Sequence, residues 1–395
     1  MTVTIYPSVP VGTVKAPPSK SMAHRLLICA GLAKGGSRVR GVAPSDDVLA
    51  TIDCLRALGA SVDIDGETAL VRGADPRRAV PGVLNCRESG STLRFFTPLC
   101  ALSGRETVLE GSGTLFRRPL EPYEDLFRER GLLFAKTERS LTVRGPLGPG
   151  TFELPGDVSS QFISGLLFTL PLLEGDSVIR LRPPVESRAY TDMTLSALGS
   201  FGVNASWNGD LELLVPGGQE YLPRDVSVEG DWSNAAFFLA MGADVTGLDP
   251  DSLQGDKVCA EHFAVLDRGH AEIDISGCPD LGPVLMACAA LKSGGTFTGT
   301  RRLALKESDR GAAMAEELGK FGVRVSVEEN RITVSGGAKT PSEPLSGHDD
   351  HRIVMALSVL CTRTGGTIEG AEAVSKSFPD FFERLKDLNV RMDVS

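Results

Sequence analysis

The sequence lacks the marks of several common kinds of protein. Its eight cysteines form no Cys-x-x-Cys pair and no Cys/His set with zinc spacing, which argues against a zinc module. Cys29, Cys100, Cys288 and Cys361 lie inside apolar helical runs, so the cysteines read as reduced core residues. His348 and His351 are three apart without a second cluster to complete a ligand set, and no metal is expected. Long apolar runs are missing too. The longest, Ile163 to Leu173, is broken by Ser164, Gly165 and Pro171 and is too short to span a bilayer. The first residues form no secretory stretch, so a cytoplasmic protein with no membrane partner is expected. Positive charge is scarce: 41 Lys and Arg stand against 51 Asp and Glu, a formal net charge of −10. That balance argues against a nucleic-acid partner, whose phosphates need a basic field. An anionic ligand must therefore meet a locally basic cleft.

What is present is an ordinary globular composition over 395 residues, 42% apolar and 23% charged, enough for two or three domains with ample core. The stretch Pro18-Ser19-Lys20-Ser21-Met22-Ala23-His24-Arg25 feeds the apolar run Leu26 to Leu32. Met22, Leu26, Leu27 and Ala30 follow helical spacing, with Ser21 as the expected N-cap and Arg25 on the same face. Free backbone N–H groups at such a start, with Lys20 and Arg25, make an anion site suited to phosphate.

This pattern recurs. Ser89-Gly90-Ser91-Thr92-Leu93-Arg94 precedes Phe95 to Leu102, and Ser159-Ser160-Gln161 precedes Phe162 to Leu173; Ser21 to Ser91 and Ser91 to Gln161 are each 70 residues. Asp231, Asp280 and Asp350 open similar apolar runs, Asp280 to Asp350 again spanning 70 residues and Asp231 to Asp280 only 49. Between these starts come a glycine-led strand, a helix and a short hairpin of alternating apolar residues, a βαβαββ order. Periods this long predict compact subdomains rather than a superhelix. The expectation is α/β (α+β) architecture of six units, three plus three, the fifth in the series of units being shortened. The turn formers from Pro216 to Pro223 mark a crossing between domains.

The second half adds Lys306-Glu307-Ser308-Asp309-Arg310, with Lys306 and Arg310 one helical turn apart, then Asp350-His351-Arg352 and Lys376. With Arg117-Arg118-Pro119 and Ser187 to Tyr190 they form a basic constellation in an acidic chain, which suits a substrate bearing phosphate and carboxylate groups. On these segments the chain resembles the enolpyruvyl transferases over nearly its whole length. The resemblance implies a two-domain inside-out α/β barrel, each domain of three βαβαββ units, with the active site in the cleft and the domains closing on substrate. Residues 13-220 would form one domain, and 1-12 with 221-395 the other.

The implied activity is transfer of the enolpyruvyl group of phosphoenolpyruvate to shikimate 3-phosphate, by a monomer without a cofactor. Lys20, Ser21, Arg25, Ser159, Ser160, Gln161, Ser187, Tyr190, Asp280 and Lys306 would hold shikimate 3-phosphate. Lys20, Gly90, Arg118, Gln161, Arg310, Arg352 and Lys376 would hold phosphoenolpyruvate, a site the family also offers to glyphosate. Asp280, Glu307 and Lys20 would be the catalytic groups. Two positions depart from the family pattern: Glu88 and Arg302 stand where Asn is frequent.

Two other readings are open. The sister enzyme acting on UDP-N-acetylglucosamine carries an Asn after the first Lys and a reactive loop Cys, whereas Ser21 follows Lys20 here and Leu109 to Pro119 has no Cys. A pseudo-symmetric ring resembling a DNA clamp would line a basic hole with its helices, whereas here the polar residues gather at helix starts.

Overall fold

The computed structural model describes residues 1–79 and 82–395. Val83 to Arg144 shows the repeating plan. Val83–Asn85 is a strand, Gly90–Cys100 a helix, Thr107–Glu110 a strand, Glu121–Glu129 a helix, and Leu133–Lys136 with Ser140–Arg144 a hairpin. The first two strands are parallel, with Val83 opposite Val108, so they need a crossover, which the helix Gly90–Cys100 supplies. The last strand joins antiparallel to the second, Thr107 opposite Val143, and the remaining hairpin strand lies outermost. Five four-stranded sheets among the described residues share this order, and the shortened unit keeps two strands.

The crossover helices are inside. Gly90–Cys100 buries every residue but Ser91, and Gly282–Leu291 every residue but Leu291. A helix apolar on all sides belongs in an interior. The strands instead alternate, as in Gly36–Arg40, where Ser37 and Val39 are buried between exposed neighbours, so one sheet face meets the helices and the other meets water. This is the inside-out α/β arrangement.

The chain forms two compact domains, Lys20–Glu229, and Met1–Ser19 with Gly230–Ser395. Each has its own apolar core. The crossings differ from those expected at 12/13 and 220/221, and strand pairing gives the reason. Asp225–Ser227 is the missing first strand of the first unit, parallel to Gly36–Arg40 with Val226 opposite Val39. Thr13–Lys15 does the same for the fourth unit, parallel to Asp244–Thr246. Thr2–Ile5 closes the sixth unit, lying between Gly366–Glu369 and Met392–Val394.

Helix starts also differ in detail. The first helix is Lys20–Leu32, so Ser21 sits in its first turn rather than at its cap. Lys306 and Arg310 do not share a helix, because Asp309 accepts from Ala312 N and starts the helix Arg310–Lys320 at Arg310. Lys306 is extended after the 3-10 turn Arg301–Leu305.

Candidate active site

In the first domain the starts of the helices Lys20–Leu32, Gly90–Cys100 and Ser160–Thr169 carry most of the expected residues. Arg25 is 2% exposed and is fixed by partners on its own helix and on the helix Arg188–Ser200. Its Nε donates to Thr194 Oγ1 at 2.8 Å, one Nη to the Ser21 carbonyl at 2.7 Å, and the other to the Tyr190 carbonyl at 3.0 Å. Burial lowers its pKa to about 10, which still leaves it charged at neutral pH. The rings of Phe95 and Tyr190 flank the guanidinium. Ser187, just before the helix Arg188–Ser200, has φ 53, a left-handed conformation uncommon for a residue with a side chain. Lys20 Nζ lies 2.8 Å from Asp47 Oδ2, and neither side chain is more than 15% exposed.

Gly90, Arg118 and Gln161 come together, with Arg94 between them. Arg94 donates to Gln161 Oε1 at 2.6 Å and to the Pro119 carbonyl at 3.0 Å, while Gln161 Nε2 donates to Ser91 Oγ at 2.8 Å. Two guanidiniums thus converge on a helix start that has no Cβ, an arrangement that accepts a compact dianion. Ser89 accepts from Thr92 N at 3.2 Å, and Ser159 from Gln161 N at 3.3 Å, so both hydroxyls cap their helices. Ser160 is buried beside Ser159. Glu88 is turned onto the Thr114 backbone N–H at 3.2 Å and stands 3.9 Å from Arg118. Its charge is therefore balanced. Gly113, at φ 57, gives it room: a Cβ there would overlap the Glu88 carboxylate.

In the second domain Asp280, Lys306, Glu307, Arg310 and Arg352 form one network. Asp280 Oδ1 accepts from Arg310 at 2.8 Å and faces Lys306 Nζ at 3.1 Å, and its Oδ2 accepts from Arg352 at 3.3 Å. Burial alone would raise the Asp280 pKa, but Arg352, Lys306 and Arg310 outweigh it and hold the carboxyl well below its usual range. Arg310, 1% exposed, also donates to Glu307 at 2.6 Å and to Asp350 Oδ2 at 2.9 Å. Burial opposes its charge, and the carboxylates of Asp350, Glu307 and Asp280 more than restore it, so its pKa is raised. Lys306 is lowered, first by burial, with Asp280 opposing. Asp350 has a double task, since it also accepts from Arg352 N at 2.9 Å and caps the helix His351–Thr364.

Lys376 Nζ is held by the carbonyl and carboxylate of Asp349 at 2.7 and 2.8 Å. Arg302 is buried and donates to the Ser276 carbonyl at 2.5 Å. His348 has ligand-like neighbours that the sequence did not show, Glu316 and Glu317. Lys320 Nζ sits 3.0 Å from the same Glu317 oxygen that faces His348, so that carboxylate is already engaged in an ion pair.

Arg94, Asp350 and Asp47 were not among the expected site residues. Arg94 follows Gly90 by four, and that spacing alone places both on one helix face. The partners of Asp350 and Asp47 depend on tertiary contacts, for which the sequence carries no local sign.

Small polar residues and cations at the starts of repeated inward helices define the class: this is the fold of the enolpyruvyl transferases. It matches EPSP synthase of Acinetobacter baumannii with TM-score 0.79 and 24% identity, covering 100% of this chain and 99% of that one. The enolpyruvyl transferase NikO of Streptomyces tendae matches with TM-score 0.78 and 18% identity over 99% and 98%. The chain belongs to the EPSP synthase (3-phosphoshikimate 1-carboxyvinyltransferase) family, whose model matches residues 7–385. A 3-phosphoshikimate 1-carboxyvinyltransferase of Clostridium kluyveri is 39% identical across 99% of this chain and 98% of its own. One of Clostridium botulinum is 39% identical across 98% and 97%.

Proposed function

We propose that the protein transfers the enolpyruvyl group of phosphoenolpyruvate to the 5-hydroxyl of shikimate 3-phosphate and releases phosphate, in the shikimate pathway that leads through chorismate to the aromatic amino acids. The observation that carries this reading is the grip of Lys306, Arg310 and Arg352 on the Asp280 carboxylate, with Glu307 on the same Arg310. Ser21, Arg25, Ser159, Ser160, Gln161, Ser187, Tyr190, Asp280, Lys306 and Lys20 bind shikimate 3-phosphate. Gly90, Arg118, Gln161, Arg310, Arg352, Lys376 and Lys20 bind phosphoenolpyruvate.

In the reaction the 5-hydroxyl attacks C2 of phosphoenolpyruvate and loses its proton while C3 gains one. The tetrahedral intermediate then expels phosphate as C3 gives a proton back. Asp280 takes the hydroxyl proton. Gripped by three cations it is a weak base, and substrate phosphate and carboxylate groups that draw those cations away make it a stronger one. Glu307 and Lys20 move protons at C3 and at the leaving oxygen, and the cations stabilise the charge that develops. The enzyme acts in the cytoplasm as a monomer and needs no metal or nucleotide.

Asp280→Asn and Glu307→Gln test the assignment. Each should lower turnover by ~10²-fold or more, the size expected when a positioned acid or base is lost. Shikimate 3-phosphate binding, read by calorimetry, should survive in Glu307→Gln. Near-normal turnover in both variants contradicts the roles given to these residues.

A further inference from the structure

The residues before Asp350 form a strained turn. Asp350 N donates to the Gly347 carbonyl at 2.9 Å, and the two residues between them, His348 at φ 49 and Asp349 at φ 52, are both left-handed. This is the geometry of a type I′ turn, usually filled by glycine, asparagine or aspartate. Non-glycine residues hold such a conformation when their surroundings enforce it. Here both side chains are pinned.

His348 Nε2 lies 2.9 Å from Glu317 Oε1, and Asp349 holds Lys376. Glu317 is fully buried, accepts from Ser346 N at 3.0 Å through its other oxygen, and takes Lys320 Nζ at 3.0 Å. Glu316 stands 4.0 Å from the same imidazole. Glu317 lies on the helix Arg310–Lys320, whose first residue grips Asp350. One helix therefore holds the turn on one side and its carboxylate on the other.

We propose that Glu317 and His348 are positioning residues for phosphoenolpyruvate: together they enforce the left-handed turn that places Asp349 and Asp350, and through these Lys376 and Arg310. The proposal rests on the function given above. Neither residue touches substrate.

Steady-state kinetics of His348→Ala, His348→Gly and Glu317→Gln test it. In His348→Ala the turn is unpinned and still disfavoured, and the KM for phosphoenolpyruvate rises about five-fold or more, exceeding any change in the KM for shikimate 3-phosphate. His348→Gly restores the KM for phosphoenolpyruvate toward wild type, because glycine adopts the turn without a brace. Glu317→Gln moves the same constant in the same direction as alanine and serves if His348→Ala does not fold. An unchanged KM for phosphoenolpyruvate, an equal change for both substrates, or no rescue by glycine overturns the proposal while leaving the function intact. A wild-type enzyme with no turnover of the two substrates overturns the function and this proposal with it.

Discussion

At Gly90 the choice of residue and the choice of ligand meet. A Cβ there would lie 3.0 Å from Arg118 Nη1 and 3.1 Å from Arg94 Nη1. Both are the far ends of side chains, so alanine displaces the guanidiniums and leaves the helix in place. Gly90→Ala should therefore keep its melting temperature, raise the KM for phosphoenolpyruvate about ten-fold through weakened charge-assisted contacts, and raise the glyphosate inhibition constant more, since glyphosate is the longer anion. A lowered melting temperature with an unchanged ratio of the two constants would remove Gly90 from the site. The need for glycine was legible from its place at a repeated helix start. Which groups crowd it was not, because Arg118 arrives from a distant turn. Glu88 was equally undecidable from sequence, since its effect on an anion depends on the partners Thr114 and Arg118.

Among the elements, the helix starts were the most readable part of the chain, because the Ser and Asp residues recurring there have the hydrogen-bonding chemistry of caps. Ser89, Ser159, Asp231 and Asp350 all accept from the first turn of their helices. Sequence spacing misled at Lys306 to Arg310, where Asp309 starts a helix that the i,i+4 charge pattern placed earlier. Asp350→Asn keeps the cap and removes a charge from Arg310. With Glu307 and Asp280 still paired to it, the loss should be about 2 kcal/mol, below the 3–5 kcal/mol of a fully orphaned buried charge, as read by urea unfolding at pH 7. Asp350 and Asp280 both have lowered folded pKa values, burial being outweighed by neighbouring cations. Their contribution is thus present above the ordinary carboxylate pKa of about 3.9 and is lost as pH falls through the folded values. The wild-type advantage over Asp350→Asn should accordingly persist at pH 6 and shrink progressively below pH ~4. No advantage over Asp350→Asn at any pH would show that Asp350 acts as a cap alone.

Across the whole molecule, the six-fold repeat was legible because each unit repeats its apolar periods and turn glycines. The domain crossings were less so, since Thr13–Lys15 and Asp225–Ser227 are short strands whose partners lie in sequence-distant units. Thr2–Ile5 makes the same point at the start of the chain: Val3 and Ile5 are fully buried in the sixth unit's sheet. Deleting residues 1–6 should cost about 4 kcal/mol or more in urea unfolding, from two buried aliphatic side chains and the lost ladder. Phosphate release measured with phosphoenolpyruvate tests the assigned reaction itself. Release that requires shikimate 3-phosphate, is unaffected by a chelator and does not occur with UDP-N-acetylglucosamine is the predicted result. Release only with the aminosugar nucleotide, or with neither acceptor, would contradict it.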